Sequence, residues 1–118
     1  MTKFQKRKQA ALDNLNGMLT LFKEYGWVQE NWGSPETGFC LIGANRHANS
    51  AGENDACAAI NAVVDASSRR NGIKFAGPID FNDAKSTTEK DVLRVVRRAK
   101  RLVAASTRTK QGDLVLIP

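Results

Sequence analysis

A chain of 118 residues with 42% hydrophobic and 25% charged side chains has the balance of one globular domain, which excludes wholesale disorder and collagen-like repeats. It carries a formal charge of +6, with a pI near 9.7. No apolar run reaches the length needed to span a bilayer, and the basic start, Met1 to Lys8, is followed by no continuous apolar region of a secretory signal. The expectation is a cytoplasmic protein of one domain, residues 1–118.

From Lys3 to Tyr25 the residues Phe4, Ala11, Leu15, Met18 and Phe22 recur at spacings of three, four or seven, and Leu12 and Leu19 widen the stripe. That spacing predicts an amphipathic helix, with residues 1–9 as its start or as a basic arm. Gly26 stands where a left-handed cap is wanted, and Trp27 is placed to fold back onto Phe22. Residues 28–38, with Gly33, Ser34, Pro35 and Gly38, read as a loop. A second, small-residue helix is expected over 39–49. Gly43 inside it weakens the helix by about 1 kcal/mol relative to alanine, which points to another backbone lying close against Gly43-Ala44. A third helix is expected from about 55 to 70, capped by Asn54, with Ala56, Ala59, Ile60, Val63 and Ser67 on one face, and Asn71-Gly72 ends it. Gly77-Pro78 bars a continuous helix, so residues 73–85 read as a connection, with 73–75 as a candidate extended piece.

Ser86-Thr87-Thr88-Glu89 has the form of a capping box, and the helix predicted after it runs to about Ser106. At 100° per residue, Val92, Val95, Val96, Ala99, Leu102 and Val103 share one side, and Arg94, Arg97, Arg98 and Arg101 cluster on the other. The tail, residues 110–118, contains Leu114-Val115-Leu116-Ile117 and is too apolar for a solvated end, so it is expected to pack or to pair as a short strand. The fold class that follows is all-α: a compact four-helix domain with short irregular connections, the long first and last helices packing around the Ala-rich middle pair.

Charge is unevenly placed. Residues 90–110 hold eight basic side chains and one acid, Asp91, and therefore carry +7, whereas the rest of the chain sums to −1. An arginine-rich face pairs with carboxylates or phosphates. The segment has no aromatic residues for base stacking and no Asn or Gln placed to read adenine, so nucleic acid would be bound without base specificity. It also lacks the exposed aromatics of a membrane-surface helix. An acidic protein is the expected partner, reached through Arg94, Arg97, Arg98 and Arg101, with Lys3, Lys6, Arg7 and Lys8 assisting. A solvated face that only maintains solubility is the competing reading.

Two cysteines and one histidine cannot furnish a disulfide framework or a four-ligand zinc site, and no calcium loop, phosphate-cradling loop, Gly-x-Ser-x-Gly or His-Glu-x-x-His is present. No metal or cofactor is expected. The alternative to an interaction protein is a small enzyme or ligand binder with a cleft near Cys40, His47, Asn82 and Asp83. Cys40 stands near a helix start, where amide dipoles favour a thiolate. His47, seven residues on, is about 10 Å away by helical rise, too far for direct proton transfer. A buried structural cysteine is therefore favoured, and Asn82-Asp83 are read as capping residues that turn the chain into the last helix. Asn45-Arg46-His47 either line a small cleft or face water. The chain is expected not to be an enzyme.

Gly26-Trp27, Cys40-Leu41-Ile42-Gly43-Ala44 and Phe81-Asn82-Asp83, in that order, resemble a domain family of unknown function made up of small proteins from actinobacteria and their phages. The resemblance covers residues 10–104 and leaves the basic start and the apolar tail outside. The family usually has Trp where this chain has Phe81, a change that keeps an aromatic anchor. The resemblance implies a fold and a setting, a bacterial cell, and no established reaction; the acidic partner expected from the arginine face is then an acidic host protein.

Overall fold

The structure, a computed structural model, describes residues 1–48, 51–108 and 114–116. Among these residues the elements run α1 (Lys3–Tyr25), β1 (Gly33–Ser34), β2 (Gly38–Phe39), α2 (Leu41–Ala48), α3 (Glu53–Asn71), α4 (Pro78–Asp83), α5 (Glu89–Ala104), β3 (Thr107–Arg108) and β4 (Leu114–Val115). The protein is mostly helical, as expected, but with five helices rather than four and with two small antiparallel hairpins, β1–β2 and β3–β4. No helix among the described residues is long and apolar enough to cross a membrane.

α1 begins where Thr2 and Gln5 form a capping box. The Thr2 hydroxyl accepts from the Gln5 amide at 3.1 Å, and the Thr2 amide donates to Gln5 Oε1 at 2.8 Å. Residues 3–9 are therefore helix rather than a free arm. Gly26 ends the helix with its N–H on Phe22 O at 2.9 Å. Its φ of 88° and ψ of −178° lie in an extended region open to glycine, not in the left-handed helical cap expected. The chain then runs beside β2: Val28 N–H donates to Phe39 O and Phe39 N–H to Gly26 O. The segment 28–38 thus contains a hairpin, register Gly33↔Phe39 and Ser34↔Gly38, where only a loop was expected.

α2 is held tightly against this hairpin. A Cβ on Gly43 would stand 1.8 Å from the Trp32 carbonyl oxygen, which bears out the close backbone approach inferred from this glycine. Asn49, the expected end of α2, lies outside the described residues. α3 starts at Glu53, two residues before its expected start. Gly52, without a side-chain hydrogen bond, occupies the cap position, and Asn54 lies inside the helix.

The segment expected to be a connection contains α4. Proline at the first helical position supplies a suitable φ and removes only an amide that would be orphaned there. Asp80 Oδ2 accepts from the Ala76 amide at 2.9 Å and secures the turn into this helix. The cap of α5 is Thr88, not Ser86. Thr88 Oγ1 accepts from the Asp91 amide at 3.3 Å, and Asp91 Oδ2 accepts from the Thr88 amide at 2.9 Å. The apolar tail pairs as the expected short strand, Thr107↔Val115 and Arg108↔Leu114, and Leu116 packs against the core. Ile117 and Pro118 lie outside the described residues.

The core follows the periodicities. Ala11, Leu15, Met18 and Phe22 of α1, Ala56, Ala59, Ile60, Val63 and Val64 of α3, and Val92, Val95, Val96, Ala99 and Val103 of α5 form one cluster, which Leu41 and Ala44 of α2 complete. Each fully buried valine or leucine contributes roughly 1.5–3 kcal/mol. α1 touches α2, α3 and α5, so the long first helix is the hub of the domain. A polar peg crosses this core. Asn14 Nδ2 donates to the Asn45 carbonyl at 3.2 Å and to Asn45 Oδ1, while Asn45 Nδ2 donates to Glu53 O at 3.1 Å. Asn45, expected to line a cleft or face water, is thus buried and ties α1, α2 and α3 together.

Candidate functional site

The three motifs that carry the family resemblance meet at one side chain. Asn82, on the last turn of α4, is buried, and its Oδ1 accepts from the Trp27 indole N–H at 2.7 Å and from the Leu41 amide at 3.1 Å. Its Nδ2 donates to Val28 O at 3.1 Å and to Asp83 Oδ1 at 2.9 Å. A carboxamide has two donor hydrogens and an oxygen with two lone pairs, so every bonding position of Asn82 is occupied by protein. Asp83 Oδ1 also accepts from the Glu30 amide at 2.8 Å, and Gln29 Nε2 donates to the carbonyls of Asn82 and Ala84. Glu30, so held, is the one non-glycine residue with positive φ, 60°, among the described residues. Asn82-Asp83 therefore fasten α4 to residues 27–30 and to the start of α2; they do not cap α5.

This fastening shapes a cleft of about 360 Å³ lined by Cys40, Ile42, Asn82 and Asp83, with Trp32 and Ile79 on its rim. Trp32 and Ile79 are 51% and 54% exposed. Of the four cleft residues expected from the sequence, Cys40, Asn82 and Asp83 come together and His47 does not. His47 is exposed on the next face, its ring 4.8 Å from that of Phe39, beside Arg46, whose guanidinium lies 4.4 Å over the Trp32 ring. Cys40 is buried, and its Sγ accepts from the Gly43 amide at 3.2 Å, the arrangement of a structural cysteine at a helix start. For Cys57, burial pushes the thiol up, the neighbouring Glu53 pushes it further, and Arg46 opposes both. Among the described residues no group of acids, histidines and cysteines could hold a metal ion. Trp32 and Ile79 carry no signal of this site in the sequence, and Ile42 stands out only as a member of the motif at residues 40–44.

The second candidate is the outer face of α5. Lys90, Arg94, Arg97 and Arg101, spaced i, i+4, i+7 and i+11, are all exposed and lie opposite the buried valines. Among the described residues only Arg94 has an acid beside it, Asp91 Oδ1 at 3.4 Å. Arg98, grouped with Arg94 and Arg101 from the sequence, is half-buried and turns toward a neighbouring cleft between α4 and α5. Arg97 takes its place on the outward line. Arg7 does not assist this face: its guanidinium grips both oxygens of Asp55, at 2.7 and 3.1 Å, and joins α1 to α3. Lys110 lies outside the described residues.

Fold and site together define a small helical domain in which a buried asparagine gathers a hairpin and two short helices around an apolar-rimmed cleft, beside a basic helix. The chain belongs to a family of unknown function (DUF6197), whose model matches residues 6–102. No curated protein and no solved structure matches it.

Proposed function

We propose that this protein is a non-enzymatic interaction module that binds an acidic protein through the outward face of α5. In this reading it acts in the cytoplasm of a bacterial cell, as a phage-encoded or actinobacterial protein, and the partner is an acidic host protein. The observation that carries the reading is the unbroken line Lys90, Arg94, Arg97, Arg101, of which only Arg94 is ion-paired, with Asp91, among the described residues. Four cations along about 16 Å of helix match an acidic helix or strand, whereas a face shaped for solubility alone intersperses both signs.

Affinity capture from bacterial lysate tests it, with wild type compared to Arg94→Glu/Arg97→Glu/Arg101→Glu. The wild type is expected to retain acidic proteins that elute at moderate salt, and the variant to lose them while melting at nearly the same temperature. A variant that keeps its partners and loses only solubility refutes the reading. Retention that nuclease abolishes assigns the face to nucleic acid bound without base specificity.

A second reading, a ligand binder or small enzyme using the cleft at Cys40, Asn82 and Asp83, is favoured by the meeting of those three residues around one cavity. The complete internal bonding of Asn82 and the separation of His47 weigh against catalysis there.

A further inference from the structure

We infer that a separate cleft, where the end of α3, α4 and the start of α5 converge, is a binding site for a small organic anion with a flat apolar body, an aromatic carboxylate in its simplest form. The cleft measures about 380 Å³, within the range of about 300–1,000 Å³ usual for small-molecule sites. Its apolar wall is preformed. Phe75 and Phe81 meet edge to face, with ring centres 5.3 Å apart and planes at 83°, and Val95 of α5 continues the surface. The Phe75 amide donates to Ser68 Oγ, which itself donates to Val64 O, so the segment carrying this ring is tied to α3.

The polar side of the cleft is cationic. Arg94 and Arg98 both line it, against one carboxylate, Asp91, which is already engaged with the Thr88 cap and with Arg94. Arg98 has no acidic partner among the described residues, and it is half-buried, where a charge is screened less than on the open surface. Thr87 lines the same cleft. It is 6% exposed, and its hydroxyl is the one buried side-chain polar atom without a hydrogen-bond partner among the described residues. Buried hydroxyls are almost always bonded, because leaving one unpaired is unfavourable. A ligand carboxylate supplies what both groups lack: an acceptor for the Thr87 O–H and a planar, two-pronged partner for the Arg98 guanidinium. The apolar body then covers Phe75, Phe81 and Val95. Arg98 and Thr87, the two groups that would hold the carboxylate, stand off the outward line of α5, and only Arg94 is shared with the proposed partner surface.

The test is titration calorimetry of the full chain at pH 7 with 2-naphthoate, its neutral analogue 2-naphthamide, and acetate. One molecule of 2-naphthoate is expected to bind saturably, with the amide and acetate each at least about tenfold weaker, as loss of a charge-assisted bond implies. Arg98→Met and Thr87→Val should each weaken 2-naphthoate by about tenfold, and Arg97→Met should not. Thr87→Val should also melt no lower than wild type without ligand, since it removes an unpaired buried hydroxyl, so its loss of affinity cannot be ascribed to misfolding. Absence of saturation at millimolar 2-naphthoate overturns the assignment. So does equal binding of the amide, undiminished binding by Arg98→Met, or loss of binding in Ile79→Ser, which alters the other cleft.

Discussion

Asn82→Ala is the most informative single change. The substitution removes four hydrogen bonds, and it leaves the Trp27 indole N–H, the Leu41 amide and the Val28 carbonyl without the partner they have now. A hydrogen bond between neutral groups contributes about 1 kcal/mol net, and an orphaned buried group costs about 1–3 kcal/mol. Partial access of water to the half-buried Trp27 and Val28 places the sum near the low end, about 3–5 kcal/mol. For a domain of this size each kcal/mol lowers Tm by about 4 °C, so a fall of about 12–20 °C is expected. Thermal unfolding followed by circular dichroism measures it, and tryptophan fluorescence reports on Trp27 and Trp32 in the same scan. Asn82→Asp sharpens the test, because it keeps the acceptor for Trp27 and Leu41 but turns a carboxylate oxygen toward Val28 O and Asp83. Its deficit should shrink as the solution is acidified, since the protonated carboxyl regains a donor and loses its charge. A Tm for Asn82→Ala within about 4 °C of wild type would refute the view that this side chain assembles the cleft.

Three further outcomes follow from local geometry. Thr88→Ala should cost about 1 kcal/mol in chemical denaturation while Ser86→Ala costs under about 0.5 kcal/mol; the reverse order would return the cap to Ser86. Gly43→Ala should destabilise by at least about 2 kcal/mol and shift the Trp32 emission, because the added methyl meets the Trp32 carbonyl and α2 must move off the hairpin. Cys57, whose thiol is pushed up mainly by burial, holds its proton more tightly when folded than when unfolded. Its contribution is therefore intact at neutral pH and is lost as the pH rises past the thiol's ordinary value. Cys57→Ala should show a smaller alkaline loss of stability than wild type, and equal losses would contradict the direction.

The long helices were legible because their apolar residues repeat for four or more turns. α1 keeps the expected ends, Lys3 and Tyr25, and the valines of α5 all enter the core. α4 is not legible in the sequence because six residues give no helical period to detect, and Gly77-Pro78 reads as a stop although the proline here opens a helix. The cap of α5 was misplaced because Ser86-x-x-Glu89 and Thr88-x-x-Asp91 are overlapping patterns of the same kind, and only packing selects one. Arg98 was grouped with Arg94 and Arg101 because sequence spacing does not reveal what stands beside a helix; Phe75 and Phe81 do. The buried roles of Asn14, Asn45 and Asn82 had no pattern to announce them, since asparagine is ordinarily a surface or turn residue.

The bonds that fasten α4 join positions far apart in the chain, Trp27, Gln29 and Glu30 on one side and residues 82–84 on the other. A helix of six residues has almost no stability by itself. α4 therefore persists only while the hairpin segment is seated, and the hairpin segment is seated only while α4 is wound. Opening either should release both in a single event, below the free energy of global unfolding, with the α1–α3–α5 core left standing. Amides across 27–41 and 78–84 would then exchange with solvent deuterium at a common rate, in step with each other and ahead of the core.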